Sequence, residues 1–330
     1  MSHPDPPADV LRHYPGLFPA RACQFLGNRG GFSGAWLWRV ETAAGAWCLR
    51  AWPVMGPGWR QLITIHRHMR QAHDAGLSFV PQLRETGAGT TWVEHAGRLW
   101  DVTSWLPGRA NYHDEPTDAK LTAAGVALAR LHAVWSVGEK QLAPSPAIGR
   151  RMAHGQEWQQ RVASGWRPEF RQPFDDPVQP WAERAWRLLP RHLERLPELL
   201  APWLDRSWPV QPCLCDIWHD HLLFTGDQLT GLVDYGSVRQ DHVAVDLARM
   251  LGSLVGDDPR RRDLCLTVYS RLRPLRAAEE ALMHLLDVSG VILGAANWLK
   301  MLYVEPRHFE DRCAVARRLA ALTQRLESWE

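Results

Sequence analysis

Leu214-Cys215-Asp216-Ile217-Trp218-His219-Asp220-His221-Leu222-Leu223-Phe224, followed by Gly231-Leu232-Val233-Asp234-Tyr235-Gly236, is the stretch of this chain that decides its reading. Asp216 and Asp234 each stand where an apolar strand gives way to a loop. Between them, Leu222-Leu223-Phe224-Thr225, a Gly226-Asp227 turn and Leu229-Thr230-Gly231-Leu232-Val233 predict a hairpin. A hairpin folds its ends back together, so the two carboxylates are expected near each other. One carboxylate can take a proton from a hydroxyl while the other holds a divalent cation, a division of labour suited to phosphoryl transfer. The plainer alternative is that both are structural turn acids.

Working outward toward the N-terminus, the chain reads as strands. After a proline-rich start with a short helix near Asp9 to Tyr14 come Cys23-Gln24-Phe25-Leu26, Ala35-Trp36-Leu37-Trp38-Arg39-Val40-Glu41 and Trp47-Cys48-Leu49-Arg50-Ala51-Trp52. A helix is predicted from Gly58 to Ala75, with Leu62, Ile65, His66 and Met69 on one face. Two more strands follow at Thr90 to His95 and Arg98 to Trp105, and Leu106-Pro107-Gly108 breaks the pattern. After that break the chain turns helical. Apolar residues at Leu121, Ala124, Leu128, Leu131 and Trp135 predict a helix from Asp118 to Trp135, and Trp181 to Leu200 predicts another despite Pro190 and Pro197. Asp246 is read as opening a further helix, with N-capping as its ordinary role, and three helices are predicted between 258 and 328. Residues 138 to 180, rich in Trp, Arg, Pro and Gln, give no clear pattern.

The bulk composition narrows the field. At 330 residues, 45% hydrophobic and 22% charged, the chain suits a soluble enzyme of one large domain or two. A net charge of +2 gives no push toward nucleic acid or a membrane surface. No uninterrupted apolar run reaches the roughly 18 residues of a membrane span. Met1-Ser2-His3-Pro4-Asp5-Pro6-Pro7 lacks the basic start and apolar stretch of a signal peptide, so the cytoplasm is the expected location. Cys23, Cys48, Cys213, Cys215, Cys265 and Cys313 are too sparse for a disulfide framework and are read as reduced core residues. Cys213, Cys215, His219 and His221 suggest zinc, but their spacing is not that of paired zinc ligands.

Two further features bear on phosphate chemistry. The cluster Gly27-Asn28-Arg29-Gly30-Gly31-Phe32-Ser33-Gly34 joins two strands, and such a turn either lays backbone N–H groups over phosphates or is a plain hairpin loop. Arg50 lies in the third strand, where a nucleotide kinase places a lysine; a guanidinium keeps its charge and grips phosphate oxygens in a fork. The predicted helix that should supply a glutamate partner contains none; His66, Gln61 and Asp74 are its polar candidates besides basic residues, and the role is left unassigned.

In order and spacing these residues resemble the aminoglycoside phosphotransferase and choline kinase family, over roughly residues 20 to 300. Asp216 matches the catalytic Asp of that family's H-G-D-x-x-x-x-N motif, Asp234 the metal-binding Asp of the following I-D, and Asp246-Leu247-Ala248 the later helix start. Ala127 to His132 resembles the A-L-x-x-L-H helix and Trp105-Leu106-Pro107-Gly108 the connection between lobes. The resemblance implies an α+β, two-lobed protein-kinase-like fold. Residues 1–106 would form a small antiparallel-sheet N-lobe with one helix, and 107–330 a larger, mostly helical C-lobe carrying the catalytic hairpin. It implies ATP held by Gly30, Gly31, Phe32, Ser33, Gly34, Arg50 and Trp105, Mg2+ on Asp234 with His221 as second ligand, and a small-molecule hydroxyl acceptor activated by Asp216. The chain departs from the family at Leu214, Cys215 and His221 of the first motif, at Arg50, and in lacking the helix glutamate. A kinase-like protein that binds a nucleotide or metabolite without transfer is the alternative.

Overall fold

Alternating apolar residues build the N-terminal sheet as the sequence predicts. The computed structural model describes residues 7–27, 34–138, 141–170, 176–309 and 311–329. After α1 (Ala8–Arg12) come β1 (Ala22–Gly27), β2 (Trp36–Thr42), β3 (Gly45–Ala51), α2 (Trp59–Asp74), β4 (Trp92–His95) and β5 (Arg98–Ser104). The strands form one antiparallel sheet of five, in the order β1-β2-β3-β5-β4. Trp38, Val40, Trp47, Leu49, Ala51, Trp100 and Val102 are buried at alternating positions and pack with Val10, Leu11, Tyr14 and Leu17 of the N-terminal segment. The period of two turns Arg50 and its cross-strand partner Asp101 to the opposite face. His66, buried on α2 with Leu62, Ile65 and Met69, reaches Asp101 there.

The remaining elements are α3 (Asp118–Trp135), β6 (Gln141–Pro144), α4 (Pro146–Ala163), α5 (Gln179–Leu200), β7 (Ser207–Cys213), β8 (Leu222–Thr225), β9 (Gln228–Leu232), β10 (Arg239–Asp241), α6 (Ala244–Leu254), α7 (Pro259–Leu272), α8 (Ala277–Leu299) and α9 (Arg312–Ser328). The pair β6 and α4 lies where the sequence pattern is silent. Ala147, Ile148, Gly155 and Trp158 are the buried residues reported for α4, too sparse a set to show a clear helical stripe.

The chain divides into two compact units: Met1–Val137 with Asp216–Arg239 and Asp263–Pro274, and Gly138–Cys215 with Gln240–Arg262 and Leu275–Glu330. The hairpin therefore belongs to the unit that holds the sheet, where the sequence reading assigned it to the helical region after residue 106.

Within the first unit the β8–β9 hairpin pairs Leu222 with Leu232 and Thr225 with Gln228 around Gly226-Asp227. The segment after β5 ties to it: Thr230 Oγ1 donates to the Pro107 carbonyl at 2.8 Å, and Arg109 bridges Phe224. In the second unit α8 packs against α4, α5, α6 and α9. Ala277–Val304, which includes α8, is long and apolar enough to cross a membrane, contrary to the expectation from uninterrupted runs, and 72% of its most apolar window is buried within the protein. Burial against four neighbouring helices is the environment of a core helix. None of the six cysteines, all among the described residues, is in a disulfide, but Cys23 and Cys313 are exposed rather than in the core.

Candidate active site

Backbone geometry at the loop after β7 accounts for the first motif. Cys215 has φ +62°, the left-handed region that costs a side chain about 1–2 kcal/mol. Its position is that of the family motif's glycine, so the loop keeps the glycine conformation without the glycine. Asp246 holds it there. Its carboxylate accepts from the backbone N–H groups of Leu214 at 2.8 Å and Cys215 at 2.6 Å. Asp246 is fully buried at the third position of α6, behind the N-cap Val243, so its work is to hold this loop and not to cap the helix.

Asp216 follows, half-buried. Its backbone carbonyl accepts from His221 Nδ1 at 2.9 Å, while the Trp218 indole N–H donates to His221 Nε2 at 2.6 Å. An indole nitrogen only donates, so Nε2 is the acceptor and the proton sits on Nδ1. His221 thereby ties the Trp218 side chain to the backbone of the loop that carries Asp216. At the other end of the hairpin, Asp234 also has positive φ, +64°, and its Oδ1 accepts from the Gly236 N–H at 3.3 Å. Asp234 Oδ2 lies 3.6 Å from His221 Nε2, and the Val233 N–H donates to the His221 carbonyl at 3.0 Å. The hairpin thus brings its two ends together through His221.

Of the two residues expected to hold Mg2+, Asp234 offers a hard oxygen donor and is half-exposed, as the ion requires. At His221 the Trp218 N–H donates to Nε2 and Nδ1 is turned to the Asp216 carbonyl, so both ring nitrogens are engaged within the protein. Of the Cys/His cluster, the Cys213 thiol is turned to the carbonyls of Gln211 and Asp241.

Arg50 faces Asp234. Its Nη1 lies 3.9 Å from Asp234 Oδ1, and its guanidinium stacks on Trp52, 4.6 Å from the ring centroid. Burial opposes the charge, yet Asp101 and then Asp234 outweigh it and hold the guanidinium pKa above its ordinary value. Asp101, 3% exposed, accepts from Trp52 Nε1 at 2.7 Å and His66 Nε2 at 3.1 Å. Burial pushes its carboxyl up, but these bonds and Arg50 hold it below the usual carboxylate range. Asp101 and Trp52 were missed in the sequence, whereas His66 was one of three polar candidates on its helix. The available signal was the strand alternation that sets Arg50 and Asp101 side by side.

Gly34 has φ +78° with open space at its Cβ position, so it keeps the freedom of a glycine turn. Gly30, Gly31, Phe32 and Ser33 lie outside the described residues. Trp105 packs under Arg39, 4.9 Å from ring centroid to guanidinium, and donates its backbone N–H to Ala46. Of the acidic residues in the C-terminal region, Glu279 pairs with His242 and Arg276, Asp287 with Arg262 and Arg325, Glu305 with Lys300, and Asp311 caps the start of α9.

An antiparallel sheet with one long helix, a mostly helical remainder and an acid-bearing hairpin define a protein-kinase-like fold. Solved structures share it. An aminoglycoside phosphotransferase from Alicyclobacillus acidocaldarius is 15% identical, with a TM-score of 0.66 over 100% of this chain and 95% of that one. Spectinomycin phosphotransferase, solved with ADP and spectinomycin, is 11% identical, with a TM-score of 0.68 over 94% and 93%. The sequence model of the phosphotransferase enzyme family matches residues 25–291, and the chain belongs to that family. A homoserine kinase from Nitrobacter winogradskyi is 30% identical over 214 residues, 62% of this chain and 58% of that protein. One from Rhodopseudomonas palustris is 28% identical over 225 residues, 66% and 62%. The chain spans less than two thirds of the length of these curated relatives.

Proposed function

We propose that this protein is an ATP-dependent phosphotransferase that moves the γ-phosphoryl group to a hydroxyl of a small molecule. The observation that supports the reading is that His221 lies against both acid-bearing segments, its Nδ1 on the Asp216 carbonyl and its Nε2 3.6 Å from Asp234 Oδ2. Asp216 orients the acceptor hydroxyl and takes its proton as the oxygen attacks phosphorus. The bond between the γ-phosphorus and the bridging oxygen breaks, and ADP leaves with the electron pair. Mg2+, held by Asp234, would supply positive charge to the phosphates. Arg50 binds phosphate oxygens from the sheet side, aided by the backbone of Gly30 to Gly34, with Trp105 beside the nucleotide. Nucleotide binding is assigned to residues 1–106 and the acceptor to 107–330.

The named relatives direct the choice of acceptor to homoserine, a small hydroxyl-bearing amino acid. The commitment of Glu279, Asp287 and Asp311 to structural pairs argues against a polycationic antibiotic. The experiment is acceptor-dependent ADP release from Mg-ATP, with homoserine heading a panel of small hydroxyl compounds. The expected result is release with at least one acceptor, reduced about 10²–10⁴-fold in Asp216→Asn. Full turnover by that variant would remove Asp216 from its role. Binding without transfer is the second reading, favoured by the engagement of His221 Nε2 with the Trp218 N–H. Magnesium-independent nucleotide binding with no turnover would select it.

A further inference from the structure

The helix α2, Trp59–Asp74, contains no glutamate to pair with the cation of β3. A buried arginine without a fixed counter-charge would be costly and badly aimed. Three observations show how this sheet meets the need. The β3–β5 register sets Arg50 directly across from Asp101. Asp101 Oδ2 is gripped twice, by the Trp52 indole N–H at 2.7 Å and by His66 at 3.1 Å. The other His66 nitrogen, Nδ1, meets Thr91 Oγ1 at 2.7 Å. His66 is thus held at both ring nitrogens, with Nε2–H donating to Asp101 and Nδ1 paired with the Thr91 hydroxyl.

We propose that Asp101 is the positioning residue of the phosphate-binding arginine, and that His66 transmits the placement of α2 to it. The helix contributes at one remove: a histidine holds the carboxylate that a neighbouring strand supplies. Trp52 closes the arrangement, since its ring carries the Arg50 guanidinium and its N–H fixes Asp101. The phosphate-binding role of Arg50 rests on the proposed function, whereas the Arg50–Asp101 linkage does not.

A double-mutant cycle tests it, with Arg50→Gln, Asp101→Asn, the double variant and His66→Gln. The KM for ATP, kcat and the thermal midpoint of the ligand-free protein are the readouts. Asp101→Asn is expected to raise the KM for ATP about tenfold with a smaller change in kcat. The double variant should be no worse than Arg50→Gln alone. His66→Gln, which keeps the carboxylate, should give a smaller rise of the same kind, and Asp101→Glu should recover part of the loss. An unchanged KM in folded Asp101→Asn, or single effects that multiply in the double variant, would overturn the proposal. If the wild-type protein turns over no acceptor, the proposed function fails, and the linkage is decided by the thermal midpoints. A double variant that loses no more than the worse single supports the linkage, and additive losses overturn it.

Discussion

Cys215 shows how a family motif can lose its letters and keep its geometry. A positive φ of +62° at this position explains why a glycine is natural there, and the two bonds to Asp246 explain how a cysteine is tolerated. Cys215→Gly should therefore raise stability by up to about 1 kcal/mol, whereas the β-branched Cys215→Val should lower it by more, both read by denaturant unfolding. Asp246→Ala leaves two backbone N–H groups without their partner and should cost about 2–4 kcal/mol in the same assay. At His221 the structure adds what the sequence does not show: the Trp218 N–H on Nε2 and the Asp216 carbonyl on Nδ1. His221→Ala is expected to lower kcat while leaving the Mg2+ concentration for half-maximal activity unchanged. A raised Mg2+ requirement would restore it as a ligand.

At the scale of elements, periodicity was a sound guide wherever burial is one-sided. β2, β3 and α2 were legible because each buries one face more than the other, and the hairpin because its turn residues mark it. The segment holding β6 and α4 was not, since α4 presents so few buried apolar residues. The substitute for the missing helix glutamate was also illegible, because Asp101 and His66 lie on separate elements that meet only through sheet register. The connection after β5 makes a prediction of its own. Gly108 has φ +99°, and a Cβ there would lie 2.5 Å from Thr230 Oγ1 and 2.8 Å from the Phe224 carbonyl oxygen. Gly108→Ala should destabilise the protein by about 1–3 kcal/mol, seen as a lower denaturation midpoint, by pushing the connection off the hairpin.

For the molecule as a whole, three carboxylates among the described residues titrate below their ordinary range and so link stability to pH. Asp176 is held down chiefly by its bonds to Arg312. At Asp101 and Glu279 burial pushes upward, but His66 and Arg50 at the first, and the Arg276 N–H and His242 at the second, prevail. A depressed folded pKa stabilises above the unfolded value, about 4, and that contribution disappears as pH falls through the folded value. The thermal midpoint should thus drop below pH about 4.5, and Asp176→Asn should drop less than the wild-type protein between pH about 5 and 3. Equal slopes would contradict the assignment. The central claim concerns the hairpin, whose two acids are joined to a cation on the sheet through Asp234. It is tested most directly by calorimetric titration of ATP into the wild-type protein and Asp234→Asn, each with and without magnesium. The account predicts that magnesium strengthens ATP binding by the wild-type protein and makes no difference to the variant. Binding that magnesium does not alter in the wild-type protein, or no ATP binding at all, would contradict it.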